Sequence, residues 1–193
     1  MPAQTLLIIR HGEKPQEVWP GPGLTADGTA DRDSLVIRGW QRSGAWAALF
    51  ATDLGGESFP RPNAVYAADP TDTVAVAGDD DGPSQRPYET VLPLSARLGV
   101  APVTRWSQNQ EAQLAAEVAT LAGVTLICWE HKRIISGILP ALLGTGDDAI
   151  PGKWNGDRFD VVLRLDRLGE GRPWSLRQLF PQLLSGDSNT PLG

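Results

Sequence analysis

Thr5-Leu6-Leu7-Ile8-Ile9-Arg10-His11-Gly12-Glu13 decides how this chain folds. Four consecutive large aliphatics, followed at once by charge and glycine, form too short a run for a buried helix and read as a strand buried on both faces. In open α/β sheets ligands sit outside the carboxyl ends of the strands, so Arg10 and His11 fall where such folds carry chemistry. Gly12 lets the backbone turn sharply beside them.

The chain has two histidines, and the second repeats the arrangement: Val124-Thr125-Leu126-Ile127-Cys128-Trp129-Glu130-His131-Lys132. A single strand-end histidine is commonly just satisfied by a backbone hydrogen bond. Both histidines of a chain at the mouths of two predicted central strands, one beside an arginine, instead suggest a shared site.

At 193 residues the chain is long enough to bury a core without disulfides or metals, and its 41% hydrophobic content fits a globular protein. The reading is a single domain over residues 1–185 with a flexible C-terminal tail, Gly186 to Gly193, that has little to bury. No apolar run approaches the roughly 20 residues of a membrane span, and no basic segment followed by an apolar signal core opens the chain. The expectation is a cytoplasmic protein without a membrane partner. One cysteine, Cys128, excludes an internal disulfide and a cysteine-based metal cage. A formal charge of -6 argues against nucleic-acid binding. Against that acidic background, arginines at strand mouths stand out as a local anion site.

Lys14 to Ser34, rich in proline and glycine, reads as a long functional loop. A helix of roughly Gly39 to Asp53 follows, with an apolar stripe through Ala45, Ala48 and Leu49. Asn63 to Ala68 is a short strand bounded by Pro62 and Pro70. Residues Asp69 to Pro83 read as a solvated insertion; the spacing of Asp79-Asp80-Asp81 fits no calcium loop. Ser84 caps the next helix, with Pro87 in its first turn and Gly99 at its end. Arg86 thereby sits at an anion-attracting helix N-terminus. Pro93 lies deeper and should kink that helix near Glu89, whose carbonyl loses its partner. A short strand, Pro102 to Trp106, leads to Ser107-Gln108-Asn109-Gln110, which has the form of a capping box, and to a helix ending at Gly123. Glu111 sits in the first turn of that helix, where a carboxylate complements the dipole. The helix after His131 is predicted to stop before Pro140. Phe159 to Leu165 alternates into a late strand, paired with Trp174 to Phe180.

Two histidines and two arginines converging in one cleft suit a dianion. Guanidinium forks bind phosphate oxygens bidentately, and a neutral imidazole can attack phosphorus. Phosphoryl transfer needs mainly positioning and charge neutralisation, which Arg10, Arg86 and His131 could supply without metal or cofactor.

Arg10-His11-Gly12-Glu13 on a buried N-terminal strand, with a later strand ending in His131, resembles the histidine phosphatase superfamily, which includes phosphoglycerate mutase-like enzymes. The resemblance covers about residues 4 to 167. It implies a three-layer α/β/α sandwich with a mostly parallel central sheet. It also implies that His11 becomes phosphorylated, that His131 stabilises the transferring phosphoryl group, and that Arg10 and Arg86 clamp the phosphate, with Gly12 and Glu13 in the binding motif. Leu35, Gly39 and Arg42 match a structural pattern of the helix beside the first strand, and Arg86 with Thr90 matches the arginine-threonine pair of another. Relatives protonate the leaving oxygen with a carboxylate: Glu111 is the candidate by order, and Glu130 the alternative. Alternation along a strand counts against Glu130 unless the strand has ended. Lys132 stands where the family usually has glycine and would either extend the anion site or simply point to solvent.

The function implied is a metal-independent phosphatase hydrolysing phosphomonoesters through a phosphohistidine on His11, acting on a phosphorylated small molecule or a phosphoprotein. Alternatives are a phosphoglycerate-type mutase, a protein-phosphohistidine phosphatase, and a non-catalytic phospholigand-binding domain.

Overall fold

The computed structural model describes residues 3–72, 84–169 and 171–193. Five strands form one sheet in the order β2-β3-β1-β4-β5: β1 is Gln4–Arg10, β2 Ala64–Ala67, β3 Gly123–Trp129, β4 Val162–Arg167 and β5 Ser175–Leu179. β1 and β2 flank β3 in parallel, whereas β4 runs antiparallel to β1, and β5 antiparallel to β4. The expectation of a mostly parallel sheet is therefore corrected. Two of the four strand pairings are antiparallel, because the last two strands return without a crossover helix.

Helices cover both faces. Helix α1 (Ile37–Phe50) and helix α2 (Arg86–Leu98) bury Trp46, Phe50, Val91 and Leu94 against Leu7, Ile9, Leu126 and Cys128. Helix α3 (Glu111–Val118) and helix α4, residues 131–143, bury Leu114, Val118, Ile134 and Ile138 against Leu6, Ile8, Ile127 and Trp129. Side chains alternate across a strand, so consecutive aliphatics in β1 feed two separate cores, which is why its apolar run is unbroken.

Several boundaries differ from the expectation for physical reasons. Residues 102–106 do not form a strand: Val103 makes a single parallel bridge to Tyr66, because β2 is too short to pair further. At α3 only half of the capping box forms, with the Gln110 side chain accepting from the Ser107 amide at 2.9 Å. Helix α4 does not stop before Pro140. It winds as a π-turn through Ile134–Ile138 and resumes as α at Leu139–Leu143, with Pro140 in the first turn where a missing amide hydrogen is tolerated. Pro93 lies inside α2, and the Ser43 hydroxyl donates to the carbonyls of Glu89 (3.1 Å) and Thr90 (2.8 Å), supplying the partner that Pro93 withholds from Glu89.

The C-terminal segment is not the loose tail expected. Arg158 donates to the carbonyls of Ser188 and Thr190, the Asp160 carboxylate accepts from the Ser188 amide, and Leu192 is buried and exchanges hydrogen bonds with Gln178. Among the described residues no helix is long and apolar enough to cross a membrane. The aspartate-rich part of the insertion, with the calcium question attached to it, lies outside the described residues.

Gly12 and Gly39 bring the turn after β1 onto α1. A Cβ on Gly39 would lie 2.5 Å from the Glu13 carbonyl oxygen and 3.0 Å from its amide nitrogen, both backbone atoms that cannot swing away. Gly39→Ala is expected to cost about 1–3 kcal/mol through overpacking, read as a lower urea midpoint with an unchanged denaturation slope.

Candidate active site

β1 and β3 end in register, Arg10 opposite Trp129, and the His11 amide continues the ladder by donating to the Trp129 carbonyl at 3.1 Å. The residues that follow each strand therefore leave the sheet side by side. Parallel pairing brings His11 and His131 to one edge even though 119 residues separate them, 131 minus 11 less one.

His11 is 2% exposed, and its Nδ1 lies 2.7 Å from the carbonyl oxygen of Gly12. Two lone pairs would repel at that distance, so Nδ1 carries the proton and Nε2 presents a bare lone pair. Burial first, then the guanidinium groups of Arg10 and Arg86, hold the imidazole well below its ordinary pKa. His131 adds to this, and the Gly12 hydrogen bond opposes it. The ring is tilted against Phe159 with centroids 5.9 Å apart.

Arg10 shares the strand face of Leu6 and Ile8. Its Nη1 donates to the carbonyls of Gly156 (2.7 Å) and Arg158 (3.2 Å), and its guanidinium lies 3.8 Å over the Phe159 ring. Arg86 opens α2, where Ser84 Oγ accepts from its amide at 3.2 Å, and its Nη2 donates to the Arg32 carbonyl at 2.9 Å. The Gly12 amide donates to Thr90 Oγ1, and that hydroxyl donates in turn to the Arg86 carbonyl, both at 2.7 Å. The turn carrying His11 is thus tied to the first turn of the helix carrying Arg86.

His131 begins α4, and β3 has ended one residue earlier, so the strand-alternation objection to Glu130 does not apply. Glu130 does something else. One of its oxygens accepts from the Arg133 amide at 2.9 Å as the helix cap, and the other lies 2.6 Å from His131 Nδ1. Burial would raise this carboxyl, but His131 and the amides of Lys132 and Arg133 overcome burial and hold it down to about 2. It stays ionised at neutral pH, with Oε1 beside the His131 ring.

Glu111 is buried, with Oε1 accepting from the Trp129 indole (3.0 Å) and the Asn109 amide (3.1 Å). Gly137 in the π-turn packs directly on it: a Cβ there would come within 2.8 Å of Glu111 Cβ and Cγ. Glu13 turns away from the site, a correction to its reading as a substrate contact. It accepts from Arg42 Nε and Nη2 at 2.8–3.1 Å, and Arg42 reaches Asp187 as well. Lys132 is exposed at the rim of a cavity of about 450 Å³ shared with His131, Trp154 and Gly156.

Sequence reasoning missed the loop that closes the site. Phe159, the carbonyls of Gly156 and Arg158, and Asp187 come from segments with no motif, and the pairing of β4 with β1 is what carries them there. Glu89 was also missed as a functional neighbour, although its place three residues after Arg86 on one helix face was visible. Its carboxylate accepts from Ser34 Oγ (2.7 Å) and the Leu35 amide (2.9 Å), fastening the long loop to α2. Burial above all pushes its carboxyl up, with those two hydrogen bonds opposing. Cys128 is fully buried, and burial pushes its thiol up, as expected of an inert core cysteine.

The geometry defines an α/β domain whose strand ends gather two histidines and two buried arginines. No family model matches the sequence, and no curated protein matches it. Solved structures do. The mycobacterial glucosyl-3-phosphoglycerate phosphatase superposes with a TM-score of 0.54 at 16% identity, covering 90% of this chain and 97% of its own. The protein histidine phosphatase SixA complexed with tungstate gives 0.54 at 16%, covering 92% and 97%. A phosphoserine phosphatase mutant from Entamoeba histolytica, in complex with phosphoserine, gives 0.51 at 14%, covering 90% and 94%. At such identities the likeness speaks for the fold alone: the chain shares the α/β fold of these phosphatases.

A base whose native pKa is depressed takes up its proton later than the unfolded chain does. His11 should therefore remain neutral as pH falls through 6.5, the ordinary histidine value. Its contribution to stability is complete above 6.5 and declines as pH falls below that toward the depressed native pKa. Nitrogen-15 histidine spectra across pH 5–8, assigned with a His11→Asn variant, test this: a His11 midpoint at or above 6.5 would contradict it.

Proposed function

We propose that the chain is a metal-independent phosphatase that hydrolyses phosphomonoesters through a phosphohistidine on His11. The observation that carries this reading is the state of His11: buried, neutral, with Nδ1 spent on Gly12 and Nε2 bare among Arg10, Arg86 and His131. A neutral imidazole beside buried cations is suited to attack a dianion that those cations bind.

In the first step Nε2 of His11 forms a bond to phosphorus while the ester P–O bond breaks, and the leaving oxygen takes a proton. Arg10 and Arg86 bind the phosphoryl oxygens, the turn at Gly12 lies against the transferring group, and His131, with Glu130 beside its ring, neutralises charge on the equatorial oxygens. In the second step water adds to phosphorus, the N–P bond breaks, and inorganic phosphate leaves with the imidazole regenerated.

Glu111 is the proposed proton donor. Glu130, held down to about 2, is the weaker candidate. The engagement of both carboxylates, Glu111 with Trp129 and Glu130 with His131, favours one second reading, that of a protein-phosphohistidine phosphatase. A phosphoramidate leaves with less help from an acid.

Hydrolysis of an aryl phosphate with chelator present is expected in the wild type and at least about 10³-fold slower in His11→Ala, the order of loss when a nucleophile is removed. Wild type quenched in alkaline detergent should carry a base-stable, acid-labile phosphoryl group that the variant lacks. Ordinary turnover by His11→Ala would sink the mechanism. Glu111→Gln should slow esters of poor leaving groups by about 10²-fold or more while sparing good ones. Glu130→Gln should slow both alike, and equal leaving-group sensitivity in the two variants would remove Glu111 from the acid role.

A further inference from the structure

The cavity beside His131 is distinct from the phosphoryl centre yet continuous with it. His131 lines both, and the Gly156 carbonyl on its wall is the one that receives Arg10 Nη1 at 2.7 Å. The space beside His131 measures about 450 Å³. The size suits a small organic body of the kind that clefts of 300–1,000 Å³ take.

The chemistry of the walls is uneven. Ile135, from the π-turn of α4, and Trp154 form an apolar side. The Trp154 indole nitrogen donates to the Arg158 carbonyl at 2.9 Å, so the ring offers carbon surface rather than a donor. Two exposed lysines, Lys132 from α4 and Lys153 from the loop before β4, complete the lining, in which no carboxylate side chain stands among the described residues. In a chain with 23 acidic and 17 basic residues, a cavity whose charged lining among the described residues is two lysines is a local reversal of sign.

Resting on the phosphatase reading above, we infer that this cavity is a leaving-group subsite for organic phosphates with an apolar, ring-sized body and a second anionic group that Lys132 and Lys153 receive. The anionic oxygens of a carboxylate or of a second phosphate meet the same requirement. Ile135 and Trp154 cover the body between the two charges.

Three phosphate esters of nearly equal phenol acidity test the assignment: 4-(carboxymethyl)phenyl, 4-ethylphenyl and 4-(aminomethyl)phenyl phosphate. In the wild type the carboxymethyl ester should exceed the ethyl ester in kcat/KM by about tenfold, and the aminomethyl ester should fall below it. The double variant Lys132→Glu and Lys153→Glu should invert that order, a ratio measured within one protein and so independent of its overall activity. Turnover of all three esters at equal kcat/KM would overturn the subsite while leaving the phosphatase reading intact. Where no ester turns over, calorimetry with benzylphosphonates bearing the same three substituents decides. Binding that favours the carboxymethyl form, and reverses in the double variant, upholds the subsite and removes the phosphatase reading. Binding without charge preference, or no binding, overturns the subsite. A second series with phosphomethyl in place of carboxymethyl distinguishes a second phosphate from a carboxylate as the preferred anion.

Discussion

The parallel pairing of β1 with β3 is the constraint on which the site depends. The ladder runs to the last residue of both strands, Arg10 against Trp129, and extends one step further through the His11 amide. A slip of one residue would send every side chain of β1 to the opposite face and put Leu7 and Ile9 where Arg10 must stand. Both cores, one on each face, oppose that slip. The hydrophobic burial that fixes the sheet register therefore also fixes the distance between two histidines far apart in the chain.

Around that edge the protein places charge where it is costly and then answers it. Arg10 and Arg86 are nearly fully buried and donate to backbone carbonyls of neighbouring loops, which hold the guanidinium groups in place, and Asp33 lies 3.9 Å from Arg86 Nη2. Three other carboxylates are engaged with different partners: Glu13 with Arg42, Glu130 beside His131, and Glu111 with Trp129. Burial, together with the cations Arg10 and Arg86, depresses His11, and those cations suit an anion.

Close backbone approach makes this geometry rigid. Gly12 and Gly39 let the turn after β1 rest on α1, and the Glu13-Arg42-Asp187 chain of ion pairs locks that contact to the C-terminal segment. Thr90 links the Gly12 amide to the first turn of α2, so the turn carrying His11 is tied to the helix carrying Arg86. Pro93 and Pro140 would each break a helix in isolation. Ser43 and the π-turn absorb them, and the π-turn places Gly137 against Glu111 and Ile135 in the cavity wall.

The amino-acid sequence by itself determined what depends on local pattern. The buried strand Thr5 to Ile9, the histidines at two strand mouths, Arg86 at a helix start and Gly99 at its end could all be read from periodicity and from the conformational limits of glycine and proline. Only the tertiary structure decided the rest. Glu13 as the partner of Arg42, Phe159 beneath Arg10, and the return of β4 against β1 rest on contacts between segments with no fixed spacing along the chain. The loop that closes the site and the C-terminal segment beyond it carry no periodicity, because hydrogen bonds to particular backbone carbonyls, rather than an apolar stripe, hold them in place. Such bonds are specific to the folded geometry and leave no pattern in the order of residues.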